Sequence, residues 1–178
     1  ARSTFSRVRT CVQQWERSAL WVHVHASTPC SSGSPLRNFG SKDVVTASEQ
    51  EWPEIISSVG DYLSLGHSSS FELPQVNAIW SRPETKDVLS QHGLVHESLV
   101  RLCRTGCTTV QGEPVGKTLR FVSTSKGFCT VLRRRFGTCT CNCEHAALDK
   151  VDFPDTGNYT KRLARGIVDA VRIGRKDP

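Results

Sequence analysis

The stretch Trp21-Val22-His23-Val24-His25-Ala26-Ser27-Thr28-Pro29-Cys30 constrains the fold more than any other part of the chain. Val22, Val24 and Ala26 alternate with His23, His25 and Ser27, the two-residue period of a half-buried strand, and small turn-forming residues take over from Ser31 to Pro35. A strand therefore ends at a Pro-Cys turn. Pro29 fixes its own φ and drives Thr28 into an extended conformation, so the Cys30 thiol is presented just past the carboxyl end of the strand. In open α/β sheets, that is where ligands bind. Taken by itself, the turn also fits a buried cysteine acting as a small apolar residue.

The flanking pattern supplies helices to cover such a strand. Phe5, Val8, Cys11, Val12, Trp15, Ala19 and Leu20 recur at helical intervals with Arg7, Arg9, Gln13 and Glu16 between them, an amphipathic helix suited to a sheet surface. After Gly40 the chain stays polar until Ile55, Ile56, Val59, Tyr62 and Leu63 form a second apolar stripe. Ser48 is the expected cap of that helix, Pro53 falls within its first turn or two, and Gly66 closes it. Ser68 to Pro74 is a short strand carrying one carboxylate, Glu72, of a kind that ordinarily stays in water. Ser81-Arg82-Pro83-Glu84 has the form of a capping box, ahead of a helix that holds Val88 and Leu89 and ends near Gly93.

Val95 to Cys103 and Lys117 to Ser123 read as an antiparallel strand pair joined by the loop 105–116. Gly112 to Thr118 imitates a phosphate loop, but three residues rather than four separate its glycines, and a strand follows where a helix is required. Phosphate-loop nucleotide binding is thereby excluded. Ser125 is placed to cap a helix with Phe128, Val131, Leu132 and Phe136 inside, the arginine run outside and Gly137 at its end. A last helix runs from Tyr159 to Ile173, with Lys161, Arg162, Arg165 and Arg172 opposite Leu163, Ile167 and Ala170.

At 178 residues the chain can bury a core of its own. It contains no run of eighteen apolar residues and no apolar signal core, so no membrane is expected as a partner. The net charge of +6 gathers in Arg2, Arg7 and Arg9, in Arg133, Arg134 and Arg135, and near the C-terminus. Such clusters favour a polyanion, nucleic acid ahead of an acidic lipid surface, although a solvated basic face has the same composition. Eight unevenly spaced cysteines point to thiols, and to a metal, in an intracellular reducing compartment rather than to a disulfide framework.

The densest chemistry is Cys139-Thr140-Cys141-Asn142-Cys143-Glu144-His145. Fully extended, Cys139 and His145 would lie about 20 Å apart, far outside a zinc sphere that holds sulfur at about 2.3 Å. Only a folded-back turn could collect Cys139, Cys141, Cys143 and His145 around zinc. A site that joins some of them to Cys129, or to Cys103 and Cys107, is the other arrangement, and unligated thiols or a disulfide fit the same residues.

The order of these pieces resembles the central part of a DNA cytosine-5 methyltransferase: helix, strand, Pro29-Cys30 with Ser31 and Ser32, helix, Phe71-Glu72-Leu73-Pro74, helix, strand pair. The match covers residues 20 to 105. The later segment resembles, more loosely, methyltransferase-like domains carried in retroelement polyproteins. The resemblance implies a Rossmann-like α/β fold over residues 1–136, a three-layer arrangement whose mixed sheet includes an antiparallel hairpin, truncated relative to the family. Residues 137–178 would add a small Cys/His-rich turn and a basic helix packed on it.

By the same resemblance Cys30 is the nucleophile and Glu72 the carboxylate that meets a flipped base. Their spacing of 42 positions suits one strand-helix-strand crossover. Arg101 and Arg104 would hold a phosphate or sugar, beside the basic run Arg133, Arg134 and Arg135. A thiolate of depressed pKa adds to carbon 6 of cytosine so that carbon 5 can take a methyl group. A carboxylic acid at the amidine edge offsets the charge that addition builds, once the base has left the stack.

Family members bind S-adenosylmethionine through a glycine-rich turn after an earlier strand, and only about twenty residues precede the strand here. Glu72 is followed by Leu-Pro where the family has Asn-Val, and no separate DNA-recognition domain is evident. The expectation is a methyltransferase-like segment acting on nucleic acid, incomplete or degenerate on its own, whose cofactor half comes from an upstream segment or a second polypeptide. The alternative is a non-catalytic basic module for nucleic-acid binding or assembly.

Overall fold

The alternation around His23 and His25 does build a strand, and the computed structural model arranges helices on both faces of the sheet that contains it. The structure describes residues 2–18, 20–27, 42–139, 144–146 and 159–175. Helix α1 (Arg2–Arg17) leads into β1 (His23–Ser27), and α2 (Lys42–Leu63) crosses over to β2 (Ser68–Pro74). A 3-10 turn (Ala78–Ser81) and α3 (Pro83–Gln91) precede β3 (His96–Arg101). A second 3-10 turn (Leu102–Thr105) and a loop lead to β4 (Thr118–Ser123), followed by α4 (Lys126–Phe136) and α5 (Lys161–Gly174).

The described residues thus form a mixed α/β protein with a four-stranded sheet in the order β1-β2-β4-β3. β1 and β2 are parallel, with His23 opposite Ser68, His25 opposite Ser70 and Ser27 opposite Glu72. A parallel pair needs a crossover, and α2 supplies it. β4 is antiparallel to both β2 and β3. The expected hairpin is therefore present, with β4 inserted between β3 and β2. It follows that β1, β2 and β3 run one way and that their carboxyl ends share one edge of the sheet.

Two apolar clusters cover the two faces. On one, Trp52, Ile56, Val59 and Leu63 of α2 meet Phe71 and Leu73 of β2 and Trp80 of the first 3-10 turn. Trp52 Nε1 donates to Thr85 Oγ1 at 3.0 Å, which fastens α2 to α3 without leaving a buried donor unmet. On the other face Phe128, Leu132 and Phe136 of α4 and Leu163 and Ile167 of α5 close over Phe121. Each such side chain contributes roughly 1.5–3 kcal/mol on burial. Helices on both sides of a sheet make three layers. Among the described residues no helix is long and apolar enough to cross a membrane.

Several local expectations are corrected. α2 begins at Lys42, well before Ser48, and Pro53 lies inside it. Pro53 is exposed, on the side where a carbonyl deprived of its donor can turn to water. The capping box does not form, because Ser81 belongs to the 3-10 turn and its Oγ donates to the Ala78 carbonyl at 2.7 Å. Asn77 caps that turn instead, accepting from Ile79 N at 2.9 Å, and Pro83 starts α3 at a position that needs no amide hydrogen.

β3 stops at Arg101, where the chain tightens into the 3-10 turn closed by Gly106 at φ +80°. Ser125 caps α4 as expected, accepting from Phe128 N at 3.2 Å. The last helix starts at Lys161 behind its cap Thr160, and Tyr159 lies outside it. Val12 of α1 is buried, but Trp15 is 47% and Leu20 52% exposed, so much of the expected apolar face of this segment remains uncovered by described residues.

Candidate functional site

β1 and β2 carry polar side chains in the same phase: His23, His25 and Ser27 on one, Ser68, Ser70 and Glu72 on the other. Parallel register places each beside its counterpart on the sheet face that α4 covers. The His23 ring stacks on Phe128 with centroids 5.1 Å apart, and the His25 ring on Phe121 at 5.7 Å. Cut off from water on that side, these groups satisfy one another.

His23 Nδ1 and Ser68 Oγ are 2.6 Å apart, and His23 Nε2 and Ser70 Oγ 2.8 Å. His25 continues the row, with Nδ1 at 2.8 Å from Ser70 Oγ and Nε2 at 2.9 Å from Tyr159 OH. Tyr159 OH donates to Glu72 Oε2 at 2.7 Å, and Ser27 Oγ donates to the same oxygen at 3.0 Å.

Counting hydrogens fixes the direction of every link. Tyr159 spends its one proton on Glu72, so His25 must donate from Nε2 and accept at Nδ1 from Ser70. Ser70 then accepts from His23 Nε2, and His23 Nδ1 accepts from Ser68. With Tyr159 donating to Glu72, both neutral histidines carry their proton on Nε2, and the row of donors ends at Glu72 Oε2.

The electrostatics agree with a neutral row. Burial lowers the His25 pKa from 6.5 to about 4, and burial followed by the charge of His25 lowers that of His23 to about 4. Burial raises the Glu72 pKa above the usual carboxylate range, against the opposing pull of Tyr159, Ser27 and Lys117. Tyr159 is raised as well, by burial and by its neighbour Glu72. Glu72 is only 4% exposed. Both donors meet Oε2, and no hydrogen bond reaches Oε1 among the described residues. Burial thus favours the protonated form of Glu72 relative to an exposed carboxyl.

No family model, curated protein or solved structure matches the chain. Glu72 stands at the carboxyl end of β2, beside the end of β1. Cys30 lies outside the described residues, as do Cys141 and Cys143.

Arg101 ends β3 on the same edge of the sheet as Glu72, roughly 14 Å away by strand spacing and rise. It is exposed, with Nη1 donating to Thr118 Oγ1 at 3.1 Å, and Arg104 is half-buried. On α4, Arg133 and Arg134 are exposed, Arg133 donating to the Glu97 carbonyl, while Arg135 pairs with Asp169 at 2.6 Å.

Cys139 and His145 do come together, and the described residue that joins them is Cys103. The three could hold a metal ion, their ligand atoms all lying within 4.8 Å of one another. Cys129 takes no part in that group: it is buried in the core, where burial pushes its thiol up to about 12.

The polar row itself was not anticipated. The shared phase of His23, His25 and Ser27 with Ser68, Ser70 and Glu72 was the available signal. Tyr159, assigned to a helix by its periodicity, had none.

Proposed function

We propose that the chain is a methyltransferase-like segment acting on cytosine in nucleic acid, with Glu72 as the acid that meets the base and Cys30 as the nucleophile. The observation that carries this reading is Glu72: a buried carboxyl of raised pKa at the carboxyl end of a parallel strand, with one oxygen loaded by two donors. A neutral carboxylic acid is what the amidine edge of cytosine requires as thiolate addition at carbon 6 builds charge on the ring. The crossover β1-α2-β2 supports the pairing, because it sets Glu72 beside Ser27, three residues ahead of Cys30. Arg101 and Arg104 at the same edge, with Arg133 and Arg134 on α4, supply cations for a nucleic-acid backbone.

S-adenosylmethionine is the methyl source in this reading, and the described residues do not fit it. The segment before β1 is helix α1, not a strand with a glycine-rich turn. The cofactor half is assigned to an upstream segment or a second polypeptide. β1 lies at the edge of the described sheet, with Trp15, Leu20 and Trp21 lining an open hollow next to it. That surface supports a place for the missing half to join. The same reading puts the protein in a reducing intracellular compartment, where Cys30 stays a thiol, derives it from a retroelement polyprotein and gives zinc a structural role apart from Glu72.

The second reading, a non-catalytic basic module, draws on Tyr159 and Ser27: both occupy Glu72 Oε2, as they would in a polar cluster that only holds elements together. Exchange of the carbon-5 hydrogen separates the two. Thiolate addition lets carbon 5 take a solvent proton and lose its own before the thiolate leaves, with no methyl group needed. Tritium release from a duplex labelled at cytosine carbon 5 is expected with the wild-type chain and is expected to be absent from Cys30→Ser. Release that is equal in both proteins, or missing from both while the duplex stays bound, overturns the catalytic reading.

A further inference from the structure

The sequence offers the run from Cys139 to His145 as a metal centre in its own right, yet the fold brings to it a thiol from 36 positions upstream. Cys103 sits in the 3-10 turn that ends β3, and its Sγ lies 3.5 Å from Cys139 Sγ. Cys139 Sγ lies 3.4 Å from His145 Nε2. All three side chains are half-buried.

These two separations are close to the edges of a coordination tetrahedron. With zinc–sulfur bonds of about 2.3 Å and zinc–nitrogen bonds of about 2.0 Å, ligand atoms at the tetrahedral angle lie about 3.8 Å (sulfur to sulfur) and about 3.5 Å (sulfur to nitrogen) apart. A disulfide would hold the two sulfurs at about 2.05 Å.

Cys103 and His145 are held by backbone structure that exists without the metal. Thr105 Oγ1 donates to the Leu102 carbonyl at 2.7 Å and Cys107 N to the same carbonyl at 3.2 Å, closing the turn that presents Cys103. Ala146 N donates to the Pro114 carbonyl at 2.9 Å, and Val115 bridges to Ala146, fixing the chain beside His145. Gly116 allows that approach, since a Cβ there would come within 3.1 Å of His145 Cβ.

We infer that Cys103, Cys139 and His145 are ligands of a structural zinc ion that fastens Cys139 and His145 to the end of β3. Two thiolates and an imidazole suit zinc over the oxygen-seeking cations. The same turn carries a second tether, since Thr160, the cap of α5, donates to the Thr105 carbonyl at 2.8 Å. The metal therefore consolidates the junction from which Tyr159 reaches Glu72. The inference is independent of the nucleic-acid reading, because metal content does not depend on Cys30 or Glu72.

The test is zinc content and affinity of the full chain, by elemental mass spectrometry and competition with a chromogenic chelator. One zinc per wild-type chain is expected, with affinity reduced more than about 100-fold in Cys103→Ser and unchanged in Cys11→Ser, a variant of the exposed thiol of α1. Cys103→His covers the case in which the serine variant does not fold: it should keep the ion, and cobalt reconstitution should show thiolate-to-cobalt charge transfer weakened by one thiolate. The proposal is overturned by a wild-type chain without zinc, by equal affinities in wild type and Cys103→Ser, or by a non-reduced mass lower by two hydrogens that maps to a Cys103–Cys139 disulfide.

Discussion

At the scale of residues, Tyr159 is the link on which the polar row depends. Its hydroxyl accepts from His25 and donates to Glu72, so Tyr159→Phe strips His25 Nε2–H of its acceptor and Glu72 of one donor. A buried donor left unmet costs about 1–3 kcal/mol, and urea unfolding should show a loss of that size. A loss within error of zero would mean that the row does not hold the fold. Because the Tyr159 bond favours the charged form of Glu72, the same variant should raise the Glu72 pKa further.

Stability against pH follows from the same groups. His23 and His25 have folded pKa values of about 4 against an ordinary 6.5, so between those limits the unfolded chain binds more protons. Their contribution is complete above pH 6.5 and is lost as pH falls toward 4. Glu72 acts in the opposite sense: its raised pKa gives stability that is complete below 4.5 and lost as pH rises through the folded value. Two imidazoles outweigh the one carboxyl that opposes them, so urea midpoints should fall from pH 6.5 to 4. Midpoints that stay flat across that window would show the imidazoles charged in the folded state.

At the scale of elements, the layering was legible because apolar periodicity is a local signal. The stripe Ile56, Val59 and Leu63, and that of Phe128, Leu132 and Phe136, needed nothing beyond their own helices to be recognised. Cap and boundary details were not, because they depend on neighbours. Ser81 carries a capping signature, yet the preceding 3-10 turn takes its hydroxyl. The alternation in β1 sets the phase of His23 and His25 but not what covers them, and Tyr159, the partner of His25, lies 134 positions away. Cys103 was legible only as one alternative among several, since a thiol from another element is joined to the run by tertiary structure alone.

The packing of α5 on α4 makes its own prediction. Gly166 faces the Phe136 ring so closely that a Cβ would collide with Cε2 and come within 2.7 Å of Cζ. Gly166→Ala should cost about 1–3 kcal/mol through overpacking, despite the better helix propensity of alanine. Arg165→Ala, on the exposed side of the same helix, should stay within about 0.5 kcal/mol of wild type. Thermal unfolding of both variants checks the pair, and equal midpoints would contradict this packing.

At the scale of the whole molecule, charge and topology point to one edge of the sheet. The carboxyl ends of β1, β2 and β3 lie together there, with Glu72 at one strand end and Arg101 at another. The polar row buries its neutral groups beneath α4, while Arg133 and Arg134 of that helix remain in solvent. Under the proposed reading, duplex binding should occur and weaken linearly in log affinity as log salt rises. A binding constant indifferent to salt would remove the nucleic-acid partner.

The most direct test of the central claim uses a duplex in which the target cytosine is replaced by 5-azacytosine. Its ring nitrogen makes carbon 6 more electrophilic, so a thiolate can add without prior methyl transfer. Intact mass under denaturing conditions, followed by peptide mapping, should find the wild-type chain joined to the modified strand through Cys30. The adduct should be absent from Cys30→Ser and form about 100-fold or more slowly in Glu72→Gln, which keeps the shape of the side chain but not its acid. Salt-sensitive binding with no adduct, or an adduct that forms at an undiminished rate in Glu72→Gln, would contradict the account.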